Sequence, residues 1–200
     1  EVKAYGAANP DNFIAQMALG VQLRKVGDFD AAIAAFRKAA ALVPQQGGDD
    51  SPHALIADIE LARRNNAGAI QSLQSLVDVD FNNIDAARRL SKLMADAGMT
   101  EPTRLQRVYS RIVDIDPFDA EARAQLGRVL MKQNRADDAS RHFKAVVAMN
   151  PVDQAAARTD LAESYFQSGK RADARRQTLA ALEVAPSYER AQDLLLKLAE

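Results

Sequence analysis

Apolar residues recur three and four positions apart along the whole chain, the spacing of helices that bury one face. Between Ala122 and Pro151 the skeleton reads Leu126-Gly127, Leu130, Asn134, Ala139, Phe143, Val146 and Pro151. The same residue types stand at identical offsets near the start, as Leu19-Gly20, Leu23, Gly27, Ala32, Phe36, Ala39 and Pro44. A third copy runs Leu161-Ala162, Tyr165, Gly169, Ala174, Thr178, Ala181 and Pro186, with threonine in the aromatic position. Two weaker copies fill the middle. Ile56-Ala57, Ala69, Leu73 and Leu76 end at Phe81 where a proline would fall, and Leu90-Ser91, Met94, Gly98, Leu105, Tyr109, Ile112 and Pro117 fit once two extra residues near Thr100 to Pro102 are accepted as a longer turn. The period is about 34 residues.

Each copy reads as a helical hairpin. The small residue of the first helix (Gly20, Ala57, Ser91, Gly127, Ala162) lets a second helix approach closely. A Gly or Asn some seven residues on ends the first helix, because it tolerates a positive φ. Asp28 and the Asp137-Asp138 pair then fall at the start of the second helix, where acids meet exposed N–H groups, and the closing proline stops it. One hairpin cannot bury its own apolar face, so neighbours must stack.

The pattern resembles the tetratricopeptide repeat family over nearly the whole chain. It departs where the family places a bulky aromatic early in the first helix, since Gln16, His53, Arg123 and Arg158 stand there. The resemblance implies an all-α, right-handed superhelical solenoid in one repeat domain over residues 1–200. Its units would cover about 13–46, 50–83, 84–119, 120–153 and 155–186, with a C-terminal capping helix at 187–200. Residues 1–10 align with 142–151, sharing Lys-Ala and Asn-Pro, and are expected to be the tail of a preceding second helix. The stretch from Pro44 to Ser51 is an insertion expected as a solvated loop, with Ser51 and Pro52 opening the next helix.

Composition narrows the chemistry. Apolar residues make up 48%, ample for a continuous core. Lys and Arg number 26 against 27 for Asp and Glu, so no net positive field gathers phosphates, and nucleic acid is not an expected partner. The same balance argues against the RNA-binding pentatricopeptide repeats, whose period is similar. With no cysteine, disulfides, thiolate zinc sites and cysteine nucleophiles are excluded, while both cytosol and periplasm stay open as compartments. No stretch approaches the roughly 18 to 20 apolar residues of a membrane span. The two histidines, His53 and His142, lie in different units, so no metal site is expected; His53 reads as partly packed and His142 as a solvated helix residue. Gly47-Gly48 lacks the later glycine and lysine of a phosphate loop. No catalytic residue and no cofactor are assigned, and the chain is not expected to be an enzyme.

The family resemblance implies that a partner lies along the inner curve made by the first helices. Carried over residue by residue, it points to Met17 and Val21 from the first unit, Arg88, Arg89 and Lys92 from the third, Arg128 and Lys132 from the fourth and Phe166 from the fifth, with Ile14, Ser51, Ala54, Asp58, Ala124, Thr159, Asp160 and Glu163 among the flanking positions. The face would be apolar at the front, basic through the third and fourth units and acidic with one aromatic at the back, its basic stretch suited to a carboxylate-rich segment through arginine's two-point pairing. No three consecutive units reproduce the set of lysines, asparagines and arginine with which some family members grip chaperone C-termini. The expected function is a non-catalytic scaffold for a peptide or partner protein in the concave groove. An alternative is a C-terminal accessory module of a larger bacterial exported enzyme, peptidase-like, because the tail resembles repeats of such proteins. End-to-end stacking into a homodimer is a third reading, separable by light scattering at several concentrations.

Overall fold

The computed structural model describes residues 2–200, and among them are twelve α-helices and no strand. The all-α expectation holds. The chain divides into two compact units, Glu1–Met99 and Thr100–Glu200, with the division in the turn of the expected third hairpin.

The first unit holds α1 (Val2–Ala8), α2 (Phe13–Lys25), α3 (Phe29–Leu42), α4 (Pro52–Ala62), α5 (Asn66–Val79) and α6 (Ile84–Asp96). α2 pairs with α3 and α4 with α5, while α1 packs on α2, α4 on α3 and α6 on α5. Close approach within the first hairpin depends on Gly20. A Cβ built there would lie 2.5 Å from the Phe36 ring, which is fully buried. Leu23, Ile33, Phe36, Ile56 and Ile59 form one core across α2, α3 and α4. The helix starts are closed by side chains, as Asn12 Oδ1 accepts from Ala15 N (3.0 Å) and Ser51 Oγ from Ala54 N (3.2 Å). The 44–51 insertion is mostly exposed, as expected of a solvated loop, and is anchored at two points. Its Gly48 N donates to Asp80 Oδ2 (2.8 Å), which also accepts from Asn83 Nδ2, and Ser51 is fully buried.

The first helices of four hairpins end as the sequence predicts, on Gly27, Gly98, Asn134 and Gly169 with positive φ, but the second hairpin turns on Arg64 at φ 59°. An L side chain is strained there by about 1 kcal/mol. Arg64 is exposed, so Arg64→Gly should stabilise the chain by about that amount, read as a raised urea midpoint. An unchanged or lowered midpoint would show that the strain is relieved locally.

The second unit holds α7 (Pro102–Ile115), α8 (Ala120–Lys132), α9 (Ala136–Ala148), α10 (Gln154–Gln167), α11 (Arg171–Val184) and α12 (Glu189–Ala199). α8 pairs with α9 and α10 with α11. α7 packs on α8, α10 on α9, and α12 on α11 and α10. Gly127 repeats the first hairpin's device, since an added Cβ would fall 2.5 Å from the Phe143 ring. The last hairpin closes differently. Thr178 stands in the aromatic position, and it is fully buried with Ala162, Ala174 and Ala181. Small side chains bring the helices together, and the buried hydroxyls are satisfied within their own helices: Thr178 Oγ1 donates to Ala174 O (2.8 Å), Thr159 Oγ1 to Ala155 O (2.8 Å) and Ser164 Oγ to Leu161 O (2.7 Å). On α12, Ala191 and Leu194 are buried, and Arg171 Nη2 donates to the carbonyls of Lys197 and Leu198 at the helix end.

Candidate partner-binding faces

In the first unit the first helices are α2, α4 and α6. On α2, Ile14 is 74% exposed and Val21 37%, while Met17 lies partly buried against the core. α4 offers less than expected, because Ser51 and Ala54 are buried under their neighbours and carry no surface for a partner. Asp58 Oδ1 accepts from Arg89 Nη2 at 2.6 Å, so the Arg89 guanidinium is engaged within the chain. Both members are more than a third exposed, and the pair adds little stability. Arg88 and Lys92 are exposed on α6, and Lys92 has no ion-pair partner among the described residues.

In the second unit the first helices are α8 and α10, followed by α12. Arg128 donates to Asp160 Oδ2 from Nε (3.2 Å) and Nη2 (2.9 Å). The other oxygen, Asp160 Oδ1, accepts from Arg190 Nη2 (2.8 Å), which also reaches Glu163 Oε2 (2.8 Å). Asp160 is only 4% exposed, while the two arginines keep nearly half their surface. Burial works to lower the Arg190 pKa, but its hydrogen bonds to Asp160 and Glu163 outweigh this and raise it. Asp160 is therefore an internal anchor between three helices and not an open groove contact, and Thr159 beside it is fully buried. Arg190 was not among the sequence candidates. Lys132 is exposed without an ion pair among the described residues, and Phe166 is half-buried with the Arg171 guanidinium 5.8 Å from its ring. Of the three arginines in the expected basic stretch, Arg89 and Arg128 are thus held in internal ion pairs.

Two cavities flank α8. One of about 250 Å³ opens between α8 and α10. The other, about 290 Å³, lies between α7 and α9 and is lined by Gln106, Ser110, Asp114, Asp138, Arg141 and His142 among others. His142 is not the solvated residue the sequence suggested. It is half-buried, and its Nδ1 is buried without a hydrogen-bond partner. Burial lowers its pKa from 6.5, Arg123 and Arg141 add to this, and Asp138 opposes it. His53 shifts the same way through burial. A folded-state pKa below the unfolded one means the unfolded chain takes the proton first, so stability is lost as pH falls below 6.5. The urea midpoint should fall between about pH 7 and pH 5, and less steeply in His142→Gln. An identical slope in the variant would remove His142 from this account.

Among the described residues no group of three or more His, Cys, Asp or Glu side chains is placed to hold a metal ion. Nor is any helix among them long and apolar enough to cross a membrane.

Within each unit, helical hairpins packed on their sequence neighbours define a helical repeat protein. The sequence profile described as tetratricopeptide repeat matches residues 2–47 and 124–190, more than half of the chain, and the chain belongs to the tetratricopeptide repeat family. No curated protein matches it. Among solved structures it is similar to YrrB, described as a TPR protein with an unusual peptide-binding site, at 20% identity and a TM-score of 0.57, covering 96% of this chain and 98% of that one. It is similar to MamA, residues 41 to the end, from Desulfovibrio magneticus RS-1, at 20% identity and a TM-score of 0.58 over 73% and 81% of the two chains. It is also similar to a tetratricopeptide repeat protein from Parabacteroides merdae, at 17% identity and a TM-score of 0.54 over 93% and 72%. At these identities the likeness shows the fold.

Proposed function

We propose that this chain is a non-catalytic interaction scaffold that binds a peptide or a partner protein on the faces of its first helices. The observation that carries this reading is the α2 face, where Ile14 and Val21 stand exposed beside Met17 on a helix whose opposite side is locked into the core. Large apolar side chains presented on a rigid element are what a docking segment needs. Family membership supports the reading, and so does the description of YrrB as peptide-binding. In the first unit the contacts are Met17, Val21, Arg88, Arg89 and Lys92; in the second they are Arg128, Lys132 and Phe166. Near-balanced charge speaks for a protein partner and against nucleic acid.

Reversing Arg89 or Arg128 would break internal ion pairs, so the sharper probes are Val21→Asp and Lys132→Glu. Each should weaken capture of a bound peptide by about tenfold, whereas Lys144→Glu on the second-helix side should leave it unchanged. Equal affinity in all three, measured by fluorescence anisotropy, would discard the assignment of these faces.

A further inference from the structure

We infer that the cavity between α8 and α10 receives a lysine or arginine side chain of the bound segment, an inference that rests on the scaffold reading and specifies the partner's chemistry in the second unit. The floor of the cavity is apolar, made by Ala124, Phe143, Val146 and Ala157. Its charged lining is Glu121, Asp153, Asp160 and a single cation, Arg128.

The balance of that lining is set by the pairing already described. Asp160 engages Arg128 on one oxygen and Arg190 on the other, and Arg190 also engages Glu163, so these four groups cancel. Glu121 and Asp153 remain. Glu121 Oε1 accepts from the neutral Gln125 Nε2 (2.7 Å), and Asp153 Oδ1 accepts from the Ala156 backbone N–H (2.9 Å). Neither has a cationic partner among the described residues. Both stand at helix N-termini, whose partial charge offsets about half a unit each, and the sign of the rim stays negative. The field reaches inward to the Tyr109 phenol. Burial raises its pKa first and the Glu121 charge raises it further, with Arg128 only partly opposing.

A long basic side chain matches this cavity in both parts. Its methylene stem lies on the alanine and valine floor, and its charged end stays at the acidic rim with access to water. An acidic side chain would meet two like charges, and a short polar one would leave the floor wet. The sign is opposite to the carboxylate-rich partner that the basic residues of the sequence suggested, because the cations counted there are held by internal acids.

The test uses the whole chain and pools of fluorescein-labelled short peptides, randomised except for one fixed central residue, Lys, Arg, Gln or Glu. The Lys and Arg pools should bind more tightly than the Gln and Glu pools. Glu121→Gln and Asp153→Asn, the second of which keeps the helix cap, should each reduce that preference by about fivefold. Ala156→Leu, filling the cavity from a half-exposed position, should weaken the Lys pool while circular dichroism shows unchanged helix content. A Glu pool that binds as well as the Lys pool, or a preference that survives both neutralisations, would overturn the assignment of a basic ligand. If the Glu pool binds and Lys132→Glu abolishes it, the scaffold reading stands without this cavity; if no pool binds, both fall.

Discussion

Phe143→Ala should destabilise the second unit by about 3 to 5 kcal/mol, because a ring that is 2% exposed and seated over Gly127 leaves a cavity its neighbours cannot close. The pairing with glycine makes the effect diagnostic. Gly127→Ala alone should cost about 1 to 3 kcal/mol, since its Cβ would meet the ring at 2.5 Å and one of them must move. In the Phe143→Ala background the obstacle is gone, and the same substitution should instead stabilise by up to about 1 kcal/mol through helix propensity. A double-mutant cycle on urea midpoints reads the change of sign. Additive costs would mean that the hairpin is not held by this contact.

Asp160→Ala should cost about 2 kcal/mol. Removing the buried member of an ion pair usually costs more, but Arg128 and Arg190 keep nearly half their surface in water and recover part of the loss. Arg190→Ala should be costly in the wild-type chain and much milder once Asp160 is gone, although its bond to Glu163 keeps the second effect from vanishing. Because α12 is tied to α10 through this carboxylate, amide exchange in α12 should accelerate in Asp160→Ala. Unchanged exchange would place the hold on α12 in its apolar contacts, Ala191 and Leu194, alone.

The hairpins were legible in the sequence because their determinants are local and periodic. Gly20 and Gly127 mark close approach, Phe36 and Phe143 fill it, and Gly27, Asn134 and Gly169 mark the turns. The candidate faces were less legible. Periodicity tells which side of a helix turns inward, but whether Ser51, Ala54 or Thr159 reaches the surface depends on the size of residues packed from the next hairpin. Ion pairing was missed for a similar reason. Asp30 with Arg63 and Asp137 with Lys170 lie 33 residues apart, Arg128 with Asp160 32, and Asp58 with Arg89 31. Opposite charges about one repeat apart were the available signal. Arg190 escaped it as well, lying on a helix read only as a cap. Arg64 had no signal at all, since its backbone conformation is imposed by the turn and resisted by its side chain.

In the proposed function, the first helices present the binding surface and the second helices build the frame. Nuclear magnetic resonance of the nitrogen-labelled chain with a peptide selected from the Lys pool tests it most directly. Amide shifts that move on α2, α4 and α6, or on α8, α10 and α12, are the expected result. Shifts confined to α3, α5, α9 and α11 would contradict it.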